Sequence, residues 1–172
     1  MATGARALGR LFNISQAAAP ADTVAGAVTG NRISMKNCET VTFVVSTTAG
    51  STDILDVDLQ EATAATGGTI RDLDIITKYY YQSEATLDAD ETWTEGSQSA
   101  ASEITDVGAA SEQLLLVIEV GAEQLSDDCS WVSLNFPDQG SNGTKWTSCI
   151  AIQSGLRGPL SRKPTSIAAA NA

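Results

Sequence analysis

Apolar residues in the middle of the chain recur at every second position. Val41, Phe43 and Val45 alternate with Thr40, Thr42 and Val44; Leu55, Val57 and Leu59 alternate with Asp56, Asp58 and Gln60; Leu73 and Ile75 alternate with Asp72 and Asp74. A period of two, rather than 3.6, predicts strands with one buried and one wet face. The run 113–120 is apolar at both parities and predicts a central strand covered on both sides. Segments 131–136 and 146–152, with 78–82 and the stretch around Trp93, bring the expected strands to at least seven. Turn signals fall between them at Ala49-Gly50-Ser51, Thr66-Gly67-Gly68, Asp88-Ala89-Asp90, Asp127-Asp128 and the Gly-rich 137–143.

This spacing, with almost no helical period between strands, predicts an all-β fold: an antiparallel β-sandwich or jelly roll. Segments 131–136 and 146–152 read as a hairpin with a long loop. Residues 60–66 read as one or two helical turns, and 96–110 as Ser/Ala-rich loop with room for a short helix at 100–104. The three consecutive tyrosines, Tyr79, Tyr80 and Tyr81, must divide between two faces, exposing either Tyr80 alone or its two neighbours.

Charge divides the chain in three. Residues 1–36 carry Arg6, Arg10, Arg32 and Lys36 against Asp22 alone, and 155–172 carry Arg157, Arg162 and Lys163 against no acid. Between them stand Arg71, Lys78 and Lys145 against twenty carboxylates, within a net charge of −11 for 172 residues. The expected organisation is an extended N-terminal arm over 1–30, a β-sandwich body over 31–154 and a C-terminal tail over 155–172. Both ends are rich in Ala, Gly, Ser and Thr and offer too little apolar surface to offset backbone ordering. A thirty-residue arm reaches ~100 Å when extended, enough to cross onto a neighbouring subunit, and its removal should leave the body folded. A body this acidic repels nucleic acid, which is bound through Lys and Arg on phosphates.

Gly and Arg interrupt the N-terminus too often for a signal peptide, and no apolar run is long enough to span a membrane. Cys38, Cys129 and Cys149 are odd in number and lack metal-ligand spacing, which reads as buried free thiols in a reducing compartment, with a Cys129–Cys149 bridge as the alternative. The chain contains no histidine, so Ser-His-Asp and Cys-His nucleophile systems are excluded and the usual neutral proton shuttle is missing. Paired carboxylates would still suit a glycoside hydrolase, but so many acids make pairs inevitable. Asp53, Asp56 and Asp58 lack the calcium-loop pattern and read as a solvated face, and Gly67-Gly68 as a turn. Neither catalytic residue, cofactor nor metal is expected. Trp131 and Trp146 read as core, whereas Trp93, among Asp90, Glu91 and Glu95, reads as an interface residue.

The strand sequences RISMKNCETVTFVV (32–45), ILDVDLQEA (54–62), the lone Trp93, LLVIEVGAEQL (115–125) and WVSLNF (131–136) resemble small structural proteins encoded among the head genes of tailed bacteriophages, the capsid decoration or cement proteins. The resemblance covers about 32–136 and carries no functional residue across. It implies a non-enzymatic virion protein, made in the bacterial cytoplasm, that binds the outer surface of an assembled shell of major capsid protein as a homo-oligomer, a trimer or dimer. In that setting Arg6, Arg10, Arg157, Arg162 and Lys163 would meet acidic patches on the shell or a neighbouring copy. Leu11, Phe12 and Ile14 would anchor the arm in an apolar groove, with Trp93 at the interface. A tail or neck component of the same particle, and a carbohydrate-binding β-sandwich module with a Trp93 or Tyr80 platform, are the alternatives.

Overall fold

A computed structural model describes residue 8 and residues 11–157. Eleven strands are present among them: β1 (Phe12–Asp22), β2 (Ile33–Ser34), β3 (Thr40–Thr47), β4 (Leu55–Ala62), β5 (Ile70–Asp72), β6 (Ile76–Glu84), β7 (Thr94–Ala101), β8 (Glu103–Val107), β9 (Gln113–Gly121), β10 (Trp131–Asn135) and β11 (Trp146–Ser154). They form two antiparallel sheets, one in the order β1-β11-β3-β9-β6-β7 and one in the order β2-β10-β4-β5. Strand β8 joins the first half of β4 on the edge whose second half carries β5. The all-β sandwich expected from the period of two is the observed fold.

The inward parity of each strand fills the space between sheets. Val41, Phe43 and Val45 of β3 and Leu116, Ile118 and Val120 of β9 face Leu55, Val57 and Leu59 of β4 and Val132 and Leu134 of β10, all at most 2 % exposed. Burying each such side chain contributes about 1.5–3 kcal/mol, and their interlock fixes which face of each strand is inner. The chain crosses between sheets at every connection except β4–β5 and β6–β7. One crossing is a single residue: β7 lies on β6 in the first sheet and β8 on β4 in the second, and Ser102 between them donates its N–H to Asp74 and accepts from the N–H of Leu59.

Several expectations are corrected. Residues 12–30 are not an arm: β1 is an edge strand of the larger sheet, paired along β11, with Ala17 and Ala18 in the core. The segment folds because β11 supplies its backbone partners. Segments 131–136 and 146–152 are not a hairpin but lie in different sheets, and the mostly exposed 137–145 connection crosses between them with Gln139 and Lys145 buried. Gln139 is buried there, accepts from the N–H of Asp56, and donates its own N–H to Thr23. Residues 96–101 and 103–107 belong to β7 and β8 rather than to a loop or helix, only 108–110 being turn, and 60–66 hold no helical turn. Residues 73–75 are a turn rather than part of a strand. In β9 the outward residues Leu115 and Val117 are only half-buried, so the strand is central in its sheet without a layer on both sides.

Cys38, Cys129 and Cys149 are free and buried, so the Cys129–Cys149 bridge is absent. Burial raises all three thiols, Cys129 to about 11 with help from the nearby Glu61 and Asp128 carboxylates, which keeps them protonated and unreactive at neutral pH. Two cations of the charge pattern have structural work. Arg32 is 3 % exposed and donates to the carbonyls of Ala64 (2.7 Å) and Gly67 (2.6 Å), closing the β4–β5 turn. Arg71 forms a two-pronged pair with Asp128 (2.7 and 2.6 Å), which holds that carboxyl below the usual range and ties β5 to the loop before β10.

Candidate functional site

Strand β1 inverts the usual rule. Its inward residues are polar, Asn13 and Ser15, each about 5 % exposed or less, whereas its outward residues are Phe12 and Ile14, the latter 47 % exposed. Asn13 Nδ2 donates to Gln153 Oε1 (2.9 Å), and Gln153 Nε2 donates to the Ser34 carbonyl (2.8 Å), so the end of β11 adds one inward polar residue beyond the apolar Cys149 and Ala151. Its outward residues include Ile150 and Ile152, the former 45 % exposed.

The register assembles these outward residues into a row. Gln16 lies opposite Ile150, Ile150 opposite Val44, Val44 opposite Val117, Val117 opposite Tyr80, and Tyr80 opposite Glu95. One residue from each of six strands thus lines up across the sheet, a width of ~24 Å at ~4.8 Å per strand. Its four central members are apolar or aromatic. On one side run Ile14, Ile152, Thr42 and Glu119; on the other run Ser148, Ser46, Leu115 and Gln82. Every described strand belongs to one of the two sheets, so none lies over this face. A contiguous apolar stripe on an uncovered sheet face is a candidate interaction surface.

Acid edges the stripe. Glu95 accepts from Lys78 Nζ (2.8 Å) and from the Tyr80 hydroxyl (2.9 Å). Those two donors lower the Glu95 carboxyl, and Glu95 in turn raises Tyr80, which fixes the tyrosine as a neutral donor at the rim of the face. Tyr79 and Tyr81 turn the other way and stack with centroids 6.1 Å apart, so Tyr80 alone of the three is exposed. At the end of the sheet where β6 passes into the 85–93 loop lies a groove of about 680 Å³, floored by Leu114, Leu115 and Leu87 and rimmed by Glu84, Asp88 and Glu91.

The predicted site residues divide. Ile14 is in the stripe and Phe12 beside it, half-buried, while Leu11 precedes them at 64 % exposure. Arg157 is exposed, with its side chain 3.6 Å from Glu39 and its N–H on the Asn37 carbonyl, at the same end of the sheet as Phe12. Trp93 is 51 % exposed but stands at the opposite end, before β7. Arg6, Arg10, Arg162 and Lys163 lie outside the described residues. Trp146, expected in the core, is 53 % exposed, because Thr147, Cys149 and Ala151 take the inward positions of β11. Asp53 accepts from the backbone and side-chain nitrogens of Asn142 (2.8 and 2.9 Å), and Asp56 accepts from the Asp106 N–H (2.8 Å), so both acids serve local structure. No group of metal-ligating side chains converges among the described residues.

Sequence reasoning missed Ile150, Val44 and Val117. Alternation assigns each to a face of its own strand, but only the pairing register shows that they form one row. Comparison of the chain with family models, with curated proteins and with solved structures returns no match.

Proposed function

We propose that this chain is a non-enzymatic structural protein that adheres by the outer face of its six-stranded sheet to the surface of a large assembly, and specifically that it decorates the exterior of a tailed-phage capsid. The observation that carries the docking reading is the local inversion where the start of β1 meets the end of β11. Phe12, Ile14, Ile150 and Ile152 face outward while Asn13, Ser15 and Gln153 are buried. A sheet free on that side would gain by the opposite arrangement, since burying amides without full hydrogen bonding costs free energy and exposing isoleucines forgoes it. The apolar residues are therefore placed for a partner. The strand-sequence resemblance over 32–136 supplies the identity of that partner, the major capsid protein.

The mechanism is binding alone. The stripe covers apolar groups on the shell, and the flanking Glu95 and Glu119 meet cations there. A subunit that binds only the assembled, expanded shell stabilises that state by mass action, and repetition over the lattice multiplies the effect.

The test is co-sedimentation with expanded phage shells lacking the protein, counting bound copies for the wild type and for Ile14→Asp with Ile150→Asp. Saturation at a simple multiple of the shell symmetry, lost in the double variant, is the expected result. Undiminished binding by that variant overturns the face as the docking surface. Absence of sedimentation by the wild type overturns the decoration reading and leaves the tail, neck and glycan alternatives.

A further inference from the structure

The entry to β1 and the groove stand at different ends of the six-stranded sheet. At one end Phe12, Ser154, Thr40 and Gly121 lie side by side; at the other stand Ala21, Thr147, Thr47, Leu114 and Ser83. The strands between are ~25 Å long. Chain enters β1 through Leu11 and leaves β11 toward Arg157 at the first end.

The groove opens at the second end. Leu87, Leu114 and Leu115 line it among Ser, Thr and Gln side chains, with Glu84, Asp88 and Glu91 as its acids, and no cationic residue is among the described residues that line it. Glu112 stands beside it, accepting from the Ser83 hydroxyl (2.7 Å), and Asp90 follows in the same loop. The sequence leading into β1 is Arg6-Ala7-Leu8-Gly9-Arg10-Leu11, with cations four apart and leucines three apart. Leu8 is 52 % and Leu11 64 % exposed, so the chain's own body leaves both leucines uncovered. An apolar floor with an acidic rim and an apolar segment bearing cations are complementary in both respects.

We propose that the groove takes residues 6–11 of a second copy of this chain, with Leu8 and Leu11 on the floor of Leu114, Leu115 and Leu87, and Arg6 and Arg10 against Glu84, Asp88 and Glu91. Groove and segment lie at opposite ends of one molecule, so the contact is head-to-tail. Such a heterologous contact builds a ring where the rotation between copies closes and an open file where it does not. The groove shares Ser46, Gln82 and Leu115 with the margin of the outer face, but the substitutions that test it leave Ile14 and Ile150 untouched.

Sedimentation velocity on the full-length chain tests it, over a concentration series at low and at high salt. The expected result is concentration-dependent association that weakens with salt, as screening of the Arg–carboxylate contacts requires. Glu84→Lys with Asp88→Lys, and separately Arg6→Glu with Arg10→Glu, should each associate at least about tenfold more weakly alone. An equal mixture of the two should associate again, because each groove then meets a segment of opposite charge. A wild type that remains monomeric overturns the proposal. So does either variant associating like the wild type, or a mixture that stays monomeric. A synthetic peptide of residues 1–11 reads the contact without substitutions: it should dissolve the wild-type association, and failure to do so also overturns the proposal.

Discussion

Asn13 donates its side-chain amide to Gln153 across 2.9 Å in the interior of the sandwich. The bond joins the first strand of the chain to the last, and around it β1 and β11 pair from Phe12 opposite Ser154 to Asp22 opposite Trp146. The N-terminal segment is thus part of the fold. Deleting residues 1–30 removes β1, leaves Gln153 without its donor and opens the β11 edge, and the truncated chain should lose cooperative unfolding or most of its stability. Deleting 1–11 spares β1 and should leave the urea midpoint within a few tenths molar of wild type. Circular dichroism across a urea series distinguishes the two. Equal stability of both truncations would falsify the assignment of β1 to the sheet.

The reason β1 escapes a sequence reading is physical. Alternation assigns apolar parity to the core, and in β1 that parity points outward, while Ala17 and Ala18, which are buried, give no periodic signal. The strands with conventional polarity, β3, β4 and β9, are legible because Val41, Phe43, Val45, Leu55, Val57, Leu59, Leu116 and Ile118 follow the rule. The edge strand β7 is Thr-Glu-Gly-Ser-Gln-Ser-Ala-Ala, small and mostly exposed, and its place is set by partners: Tyr79 lies over Gly96, where a Cβ would come within 2.2 Å of the ring. No pattern within such a strand predicts it. The candidate face is a property of register between strands, and so Ile14 is legible as a candidate contact residue whereas Val44, Val117 and Ile150 are not.

Gly30 marks a close backbone approach between the segment after β1 and β10. A Cβ there would lie 2.0 Å from the Leu134 carbonyl oxygen, and the Gly30 N–H donates to Asn135 Oδ1 (2.9 Å). Leu134 is held in the sheet opposite Leu59, so the carbonyl has little freedom to yield. Gly30→Ala should destabilise the protein by more than ~2 kcal/mol, the upper range for overpacking a fixed site, read from chemical denaturation. A loss of a few tenths would show that the two segments separate easily.

Arg32 is expected to matter for folding rather than for binding. Its guanidinium satisfies the carbonyls of Ala64 and Gly67 from a position that is 3 % exposed. Arg32→Ala leaves those acceptors without their donor and opens a void, and should cost about 2–4 kcal/mol. Lysine supplies one nitrogen where the guanidinium is a fixed planar fork, so Arg32→Lys should recover only part of that. A thermal melt with unchanged midpoint for Arg32→Ala would return this cation to the solvent-facing charge pattern.

Asp58 is placed against its own charge. It lies half-buried on β4 with one carboxylate oxygen buried and unpartnered, and burial, followed by the neighbouring Asp72 and Glu103, raises its pKa. The folded chain then holds this proton to higher pH than the unfolded chain, whose Asp titrates near ~3.9. Between those two pKa values the folded state binds more protons, so the Asp58 contribution to stability falls as pH rises through the window and stays unfavourable above it. Asp58→Asn removes the titration. At neutral pH it should raise the melting temperature by ~1–3 °C. Below the unfolded pKa the wild-type side chain is neutral in both states, and the advantage should vanish. A paired series of melts at neutral and acid pH reads the difference directly. An Asn variant less stable than wild type at neutral pH would mean that the buried oxygen is satisfied as a carboxylate.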